Sequence, residues 1–243
     1  MRWLMVVLAL CAPGCAASSL RERVTPFPPG TPHAVPWQLN RELLQPVNKR
    51  IQFVVEILQG HLPEPEALDD LVRLAARYGE RPASWVLSGG PGAPVRALDP
   101  DTTYVFIRYV GWRIPNFGLS FAQQFAGRRV YLIEINQSRH RRWRSSVLPE
   151  RRLEEQTLVH EYGHLLGLPP YDHGYFQRYP DFSGGAHCVN PDCPLTKPTL
   201  RSILFGIGNT AFRRRFLEDY CAQCRRAIEA AKAYWRINGQ PYI

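Results

Sequence analysis

His160-Glu161-Tyr162-Gly163-His164-Leu165-Leu166-Gly167 reads H-E-x-x-H-x-x-G. On a helix, residues four apart lie on one face. His160 and His164 can therefore reach one metal ion together, and Glu161 can reach a water beside it. Imidazole suits zinc, a carboxylate accepts a proton, and one helical turn sets the spacing. This is the zinc hydrolase pattern, with Glu161 as general base. Zinc lowers the pKa of its water from ~15.7 to roughly 7, so hydroxide is available at neutral pH. The competing reading is a helix that buries two hydrogen-bonded histidines. The flanking sequence favours the metal. Pro149 and Glu150 suit a first turn after Ser145 and Ser146. Leu153, Leu158, Val159, Tyr162, Leu165 and Leu166 make the helix apolar on more than one side, as a buried active-site helix requires. Gly167 stands where a left-handed residue turns the chain sharply. That turn lets a later residue supply a third ligand.

Upstream of this helix the pattern alternates between strand and helix. Residues 50–58 (Arg-Ile-Gln-Phe-Val-Val-Glu-Ile-Leu) are strand-like, as are Trp85 to Leu87, 102–110 and 129–135. Pro65 to Tyr78 reads as a helix with Leu68, Leu71, Val72, Leu74 and Ala75 on its inner side. The glycine-rich loop from Ser88 to Gly92 lacks a following G-K-[ST] and has no claim to phosphate. Strand, helix, strands and then the motif helix make an α/β fold with a mostly parallel twisted sheet. Residues 39–243 form one domain by this reading: the length is enough for a core, and no second linker interrupts it.

The first residues look like an export signal, 1–17. Arg2 is a short positive region and Trp3 to Ala12 an apolar one, too short to span a bilayer. Ala12-Pro13-Gly14-Cys15 resembles a bacterial lipobox, which would make Cys15 the lipidated first residue of a mature membrane-anchored lipoprotein. Ordinary cleavage after Ala16 or Ala17 is the alternative. Residues 18–38 carry Pro26, Pro28, Pro29, Pro32 and Pro36 and read as an extended tether. An exported protein of the cell envelope is expected.

The formal net charge is +9, and Arg139, His140, Arg141, Arg142 and Arg144 cluster between the last strand and the motif helix. No nucleic-acid-binding motif accompanies the cluster, so nucleic acid is not expected as a partner. Only three of the 30 basic residues are lysine (Lys49, Lys197, Lys232), a bias that points to GC-rich coding rather than to a charge-reading surface. A solvated basic face resting on anionic lipid or cell wall is the expected use.

Of six cysteines, Cys11 and Cys15 lie near the leader. The others form Cys188-x4-Cys193 and Cys221-x2-Cys224, the second pair in a helical stretch from about 210 to 235. Two pairs with a long gap resemble a four-cysteine structural zinc site. Two disulfides are the alternative in an oxidising compartment. A disulfide across a two-residue gap on a helix is usually redox-active rather than structural, so zinc is expected.

The H-E-x-x-H-x-x-G core, the adjacent pair His187-Cys188, the C-x4-C and the C-x-x-C stand in the order seen in archaemetzincins, and the C-terminal half from about Leu158 to Cys224 resembles that family of metzincin zinc peptidases. The resemblance implies a metzincin-like zincin domain with a C-terminal subdomain holding a four-cysteine zinc site. It implies that His160, His164 and His187 bind catalytic zinc, that Glu161 is the base, and that Cys188, Cys193, Cys221 and Cys224 bind structural zinc. Neighbouring residues pointing to opposite sides could serve the two ions. The family has two residues between its glycine and its third histidine; this chain has nineteen between Gly167 and His187. His173, or Asp172, within that insertion is the alternative third ligand, and a gluzincin arrangement would use Glu218 or Glu229 instead. The family's Met-turn is also missing: Met1 and Met5 are the only methionines, and Leu195 takes the corresponding place with similar volume.

Together these readings lead to a zinc-dependent peptidase that acts on a peptide or protein substrate. A non-catalytic envelope binding or scaffold protein with a retained zincin fold is the rival, and hydrolysis of a peptidoglycan amide is a third possibility.

Overall fold

Val, Ile, Leu and aromatic residues crowd three segments that become the centre of one sheet: β1 (Arg50–Ile57), β3 (Thr102–Val110) and β5 (Arg128–Asn136). Strands buried on both faces need such continuous apolar runs. The computed structural model describes residues 39–58, 62–88, 98–111, 117–125, 128–136, 150–168, 176–177, 187–188, 190, 193–196 and 219–238. Within these, β2 (Ala83–Leu87) and β4 (Gly118–Phe125) complete a five-stranded sheet in the order β2-β1-β3-β5-β4. The first four strands are parallel, with Phe53 beside Trp85 and Val105, and Val105 beside Tyr131. Only β4 runs antiparallel, from Gly118 opposite Ile135 to Phe125 opposite Arg128. The fold is mixed α/β with a mostly parallel sheet, as expected. The edge strand β4 has no counterpart among the strands expected from the sequence.

One face of the sheet carries most of the core. Ile51, Phe53, Val55, Val105, Ile107, Tyr109, Tyr131, Ile133 and Ile135 pack there against helices. The other face has a small cluster of Val54, Phe106, Val130 and Leu132. Helix α2 (Pro65–Gly79) starts with a proline in its first turn, where the missing N–H costs nothing. It buries Leu68, Leu71, Leu74, Ala75 and Tyr78. The motif helix α3 (Glu150–Leu165) buries Leu153, Leu158, Val159 and Tyr162, and also the polar Glu154, Glu155, Thr157 and Glu161. Its buried carboxylates need donors. Glu154 accepts from the Tyr109 hydroxyl (2.6 Å) and from the Glu64 N–H (3.1 Å).

A short helix, α1 (Arg41–Leu44), closes the C-terminal end of α3. Asn40 caps α1 and donates from Nδ2 to the Leu165 carbonyl (3.0 Å), while its own N–H reaches the Leu166 carbonyl (2.9 Å). In the C-terminal part, β6 (Phe176–Gln177) and β7 (His187–Cys188) make a two-residue antiparallel ladder, and α4 spans Ala222–Asn238. The sequence pattern starts that last helix at about 210. Residues 219–221 are not helical, and 210–218 lie outside the described residues. Asp219 ends the approach: its carboxylate accepts from the Tyr220 N–H (2.8 Å) and pairs with Arg77 and Arg225. A side chain that binds its own neighbour's N–H competes with a helix and favours a start just after it. Cys221 therefore precedes the helix and Cys224 lies on its first turn.

Among the described residues no helix is long and apolar enough to cross a membrane. The leader 1–17 with Cys15, the tether 18–38 and the arginine cluster 139–144 lie outside the described residues.

Candidate metal centre

Helix α3 is followed by Gly167, whose φ of 82° is left-handed. There the Gly167 N–H bonds the His164 carbonyl and the Leu168 N–H bonds the Gly163 carbonyl, both at 2.9 Å. This pair of bonds is a Schellman turn, which glycine adopts without a Cβ penalty. The turn brings the Leu168 carbonyl back onto the helix, where it meets His164 Nδ1 at 3.2 Å. One turn earlier, His160 Nδ1 lies 2.7 Å from the Pro194 carbonyl. A carbonyl only accepts, so both Nδ1 atoms carry the ring proton and both Nε2 atoms present lone pairs.

Those two Nε2 atoms are 3.1 Å apart. His187 on β7 joins them, its ring centre 5.2 Å from that of His160 and 5.3 Å from that of His164. Ligand atoms of the three histidines all lie within 4.8 Å of one another. Two lone pairs in contact repel unless a cation stands between them. Burial, with neighbouring His160 and His187 acting in the same direction, holds His164 well below the usual histidine range, so its ring stays a neutral donor to a metal. Zinc with bonds of about 2.0–2.1 Å in tetrahedral geometry would separate its nitrogens by about 3.3 Å. The donor set and its spacing fit such an ion. His187 is buried, and His160 and His164 are partly buried.

Glu161 points from α3 to the edge strand. Ser120 Oγ donates to its Oε2 at 2.8 Å. The carboxyl is buried, and that burial raises its pKa; the charge of His160 and the Ser120 hydrogen bond work in the opposite direction. Gly118 makes the space. A Cβ there would stand 2.7 Å from Glu161 Cγ and 2.8 Å from both Oε1 and Thr157 Cγ2. Neither Gly118 nor Ser120 belongs to any motif. Their only trace in the sequence is two small residues, two apart, in a stretch that lies between strong strands.

The four cysteines also come together, with all their sulfurs within 4.8 Å. Cys188 and Cys221 sulfurs are 3.8 Å apart, and those of Cys193 and Cys224 are 3.9 Å apart. All four are free thiols. A disulfide needs about 2.05 Å, whereas a tetrahedral zinc with Zn–S near 2.3 Å separates its sulfurs by about 3.8 Å. The spacing fits the metal. Hydrogen bonding with Cys188 draws Cys221 down and pushes Cys193 and Cys224 up, and bonding with Cys193 draws Cys188 down. Four converging thiols cannot all ionise without a cation to share.

One segment serves both groups. His187 and Cys188 are neighbours on β7, and successive strand residues face opposite ways. The Cys188 N–H bonds the Leu195 carbonyl (2.8 Å), and the Cys193 N–H bonds the Asn190 carbonyl (3.0 Å). Leu195 is fully buried beneath the histidine helix, where a Cβ on Gly163 would come within 2.6 Å of its Cδ2. Tyr220 packs at the same spot and donates to the Val159 carbonyl at 3.0 Å. The structure thus brings together His160, His164, His187 and the four cysteines. Of the alternative third ligands, His173, Asp172 and Glu218 lie outside the described residues. Glu229 is exposed on α4 and does not join the histidines.

No protein-family model and no curated protein matches the sequence. Among solved structures, the chain is similar to the crystal structure of archaemetzincin from Methanopyrus kandleri. That likeness covers 77% of this chain and 98% of the other, with 15% identity and a TM-score of 0.44.

Proposed function

We propose that this chain is a zinc-dependent peptidase in which His160, His164 and His187 hold a catalytic zinc and Glu161 is the general base. The observation that carries the reading is the pair of His160 and His164 Nε2 lone pairs, 3.1 Å apart, with both Nδ1 protons committed to carbonyls. Zinc bound there supplies Lewis acidity to a substrate carbonyl and an acidified water as nucleophile. Glu161 takes the proton of the attacking water, and its neutral form then passes that proton to the leaving amine. Burial suits this second role, because a carboxyl that holds a proton more readily than one in water is better matched to return it near neutral pH. Cys188, Cys193, Cys221 and Cys224 hold a second, structural zinc. The substrate is a peptide or protein, and the leader with Cys15 would place the enzyme on the cell envelope.

Elemental analysis of protein purified without added metal tests the two sites, and a mixed peptide library tests the activity. Two zincs per chain are expected. Glu161→Gln should keep both zincs and lose about 10²–10⁴-fold in cleavage rate, the usual contribution of a general base. Full activity in that variant removes the base role. Two zincs with no cleavage in the native chain favour a non-catalytic scaffold.

A further inference from the structure

Glu161 is reached from a second element. Strand β4 passes along helix α3, and its residues alternate between the two faces of the sheet. Gly118 and Ser120 pair with Ile135 and Ile133, which belong to the helix-side core. Leu119 and Phe121 project to the other side and are exposed. The two residues that face α3 are thus the two smallest on the strand's first half, and both meet the same carboxyl. Ser120 fixes Oε2 through a 2.8 Å hydrogen bond, and Oε1 lies over the bare Cα of Gly118. A carboxylate on three rotatable bonds has no fixed direction of its own. Held by one oxygen and given room at the other, it has one.

We propose that Ser120 is a positioning residue for the base, its hydroxyl anchoring Glu161 Oε2 and so, with Gly118 against Oε1, fixing the direction in which the carboxylate is held. This inference rests on the peptidase reading of the histidine site. Ser120 hydrogen-bonds to Glu161 and is not among the residues of either metal group, so its loss should leave the metal in place. It acts on the orientation of Glu161 alone, and its effect falls on the step in which Glu161 takes part.

The test uses the full chain with zinc, and the variants Ser120→Ala and Ser120→Thr. Zinc content, kcat and KM on a cleaved peptide, and the Kd of acetohydroxamate by calorimetry are compared. Acetohydroxamate chelates zinc and gives up a proton to a neighbouring base, so its affinity reads the placement of Glu161 without turnover. Ser120→Ala should keep its zinc and its KM, lose about 10–100-fold in kcat, and bind acetohydroxamate more weakly by a similar factor, the range of a hydrogen bond to a charged group. Ser120→Thr keeps the hydroxyl and should restore most of both. Unchanged kcat and acetohydroxamate affinity in Ser120→Ala overturn the proposal while the peptidase reading stands. A fall in both that Ser120→Thr does not rescue, together with lost zinc, marks a packing role and also overturns it. If the native chain cleaves no peptide but Ser120→Ala still weakens acetohydroxamate binding, the peptidase reading fails and the anchoring of Glu161 holds.

Discussion

Gly163 sits between the two histidines of α3 with its bare Cα against Leu195 Cδ2 and the Tyr220 ring. A methyl group there would lie 2.6 Å from Leu195, a distance at which the leucine must move. Leu195 has no free space to turn into, because it is fully buried and Tyr220 stands at the same spot, and a shift of its backbone would carry the Pro194 carbonyl that meets His160. Gly163→Ala should therefore disturb stability and metal binding together. Overpacking costs about 1–3 kcal/mol, and alanine's better helix propensity returns about 1 kcal/mol. A net loss of up to about 2 kcal/mol is expected by chemical denaturation of the zinc-loaded chain. Zinc affinity at the histidines should fall about tenfold or more, as for loss of an orienting partner. Leu195→Ala should cost less in the Gly163→Ala background than in the native chain, since the two side chains compete for one space. A Gly163→Ala chain as stable as the native one, with native zinc affinity, would show that Leu195 is not wedged beneath the site. The histidine spacing and the proposed base are legible because both lie within one helical turn of sequence. Ser120 is not legible, because its partner is 41 residues away and a lone serine carries no spacing.

At the level of elements, legibility follows burial. Strands β1, β3 and β5 lie in the middle of a parallel sheet, and their near-continuous apolar runs show it. Strand β4, Gly-Leu-Ser-Phe-Ala-Gln-Gln-Phe, has no β-branched residue, and most of its side chains are exposed or half-exposed. An edge strand of that composition is defined by its partner β5 and not by its own propensity. The end of α2 is another case in which tertiary contacts decide. Glu80 follows the helix in a left-handed conformation with φ 52°, a position that glycine would fill more easily. Its carboxylate lies 2.9 Å from the Lys232 ammonium and 3.1 Å from Arg236 on α4. Lys232 is almost fully buried, whereas Glu80 is half-exposed. The lysine's need for a counter-ion outweighs the backbone strain. Glu80→Gln should destabilise the chain by about 1–2 kcal/mol in denaturant, less than for a fully buried pair because water screens the glutamate side. The pairing, led by the Lys232 hydrogen bond, lowers the Glu80 pKa. A carboxyl lowered on folding adds stability above its unfolded pKa and loses it as pH falls through the folded one. The difference between native chain and Glu80→Gln should therefore be present at neutral pH and vanish in acid below the ordinary glutamate range. A difference that persists in acid would assign the effect to the backbone turn.

For the whole molecule, the question is what holds His187 in place. It lies on β7, a two-residue strand paired only with β6 among the described residues. Each ladder hydrogen bond contributes about 0.5–1.5 kcal/mol net, too little to order a segment that must also return from a long insertion. Binding of a structural zinc by four thiolates contributes about 10–16 kcal/mol at neutral pH. Cys188 follows His187 directly, and Cys193 precedes the Pro194 carbonyl that meets His160. A zinc held by the four cysteines would grip the segment at two points, each next to a group of the histidine cluster. Removing one thiolate should loosen both. Cys224→Ser is expected to lose the structural zinc and, with it, to weaken zinc at the histidines by about tenfold or more, read by competition with a chelator of known affinity. His164→Ala should lose the histidine-site zinc and keep the other. Linkage requires that the coupling free energy be equal in both directions, but a four-thiolate site is tight enough to stay filled after losing that share. The expected asymmetry, one zinc lost in His164→Ala and occupancy reduced at both sites in Cys224→Ser, would follow from unequal affinities acting on equal coupling. Native affinity at the histidines in Cys224→Ser would mean that Leu195 and Tyr220, packed against Gly163, hold the segment without the metal.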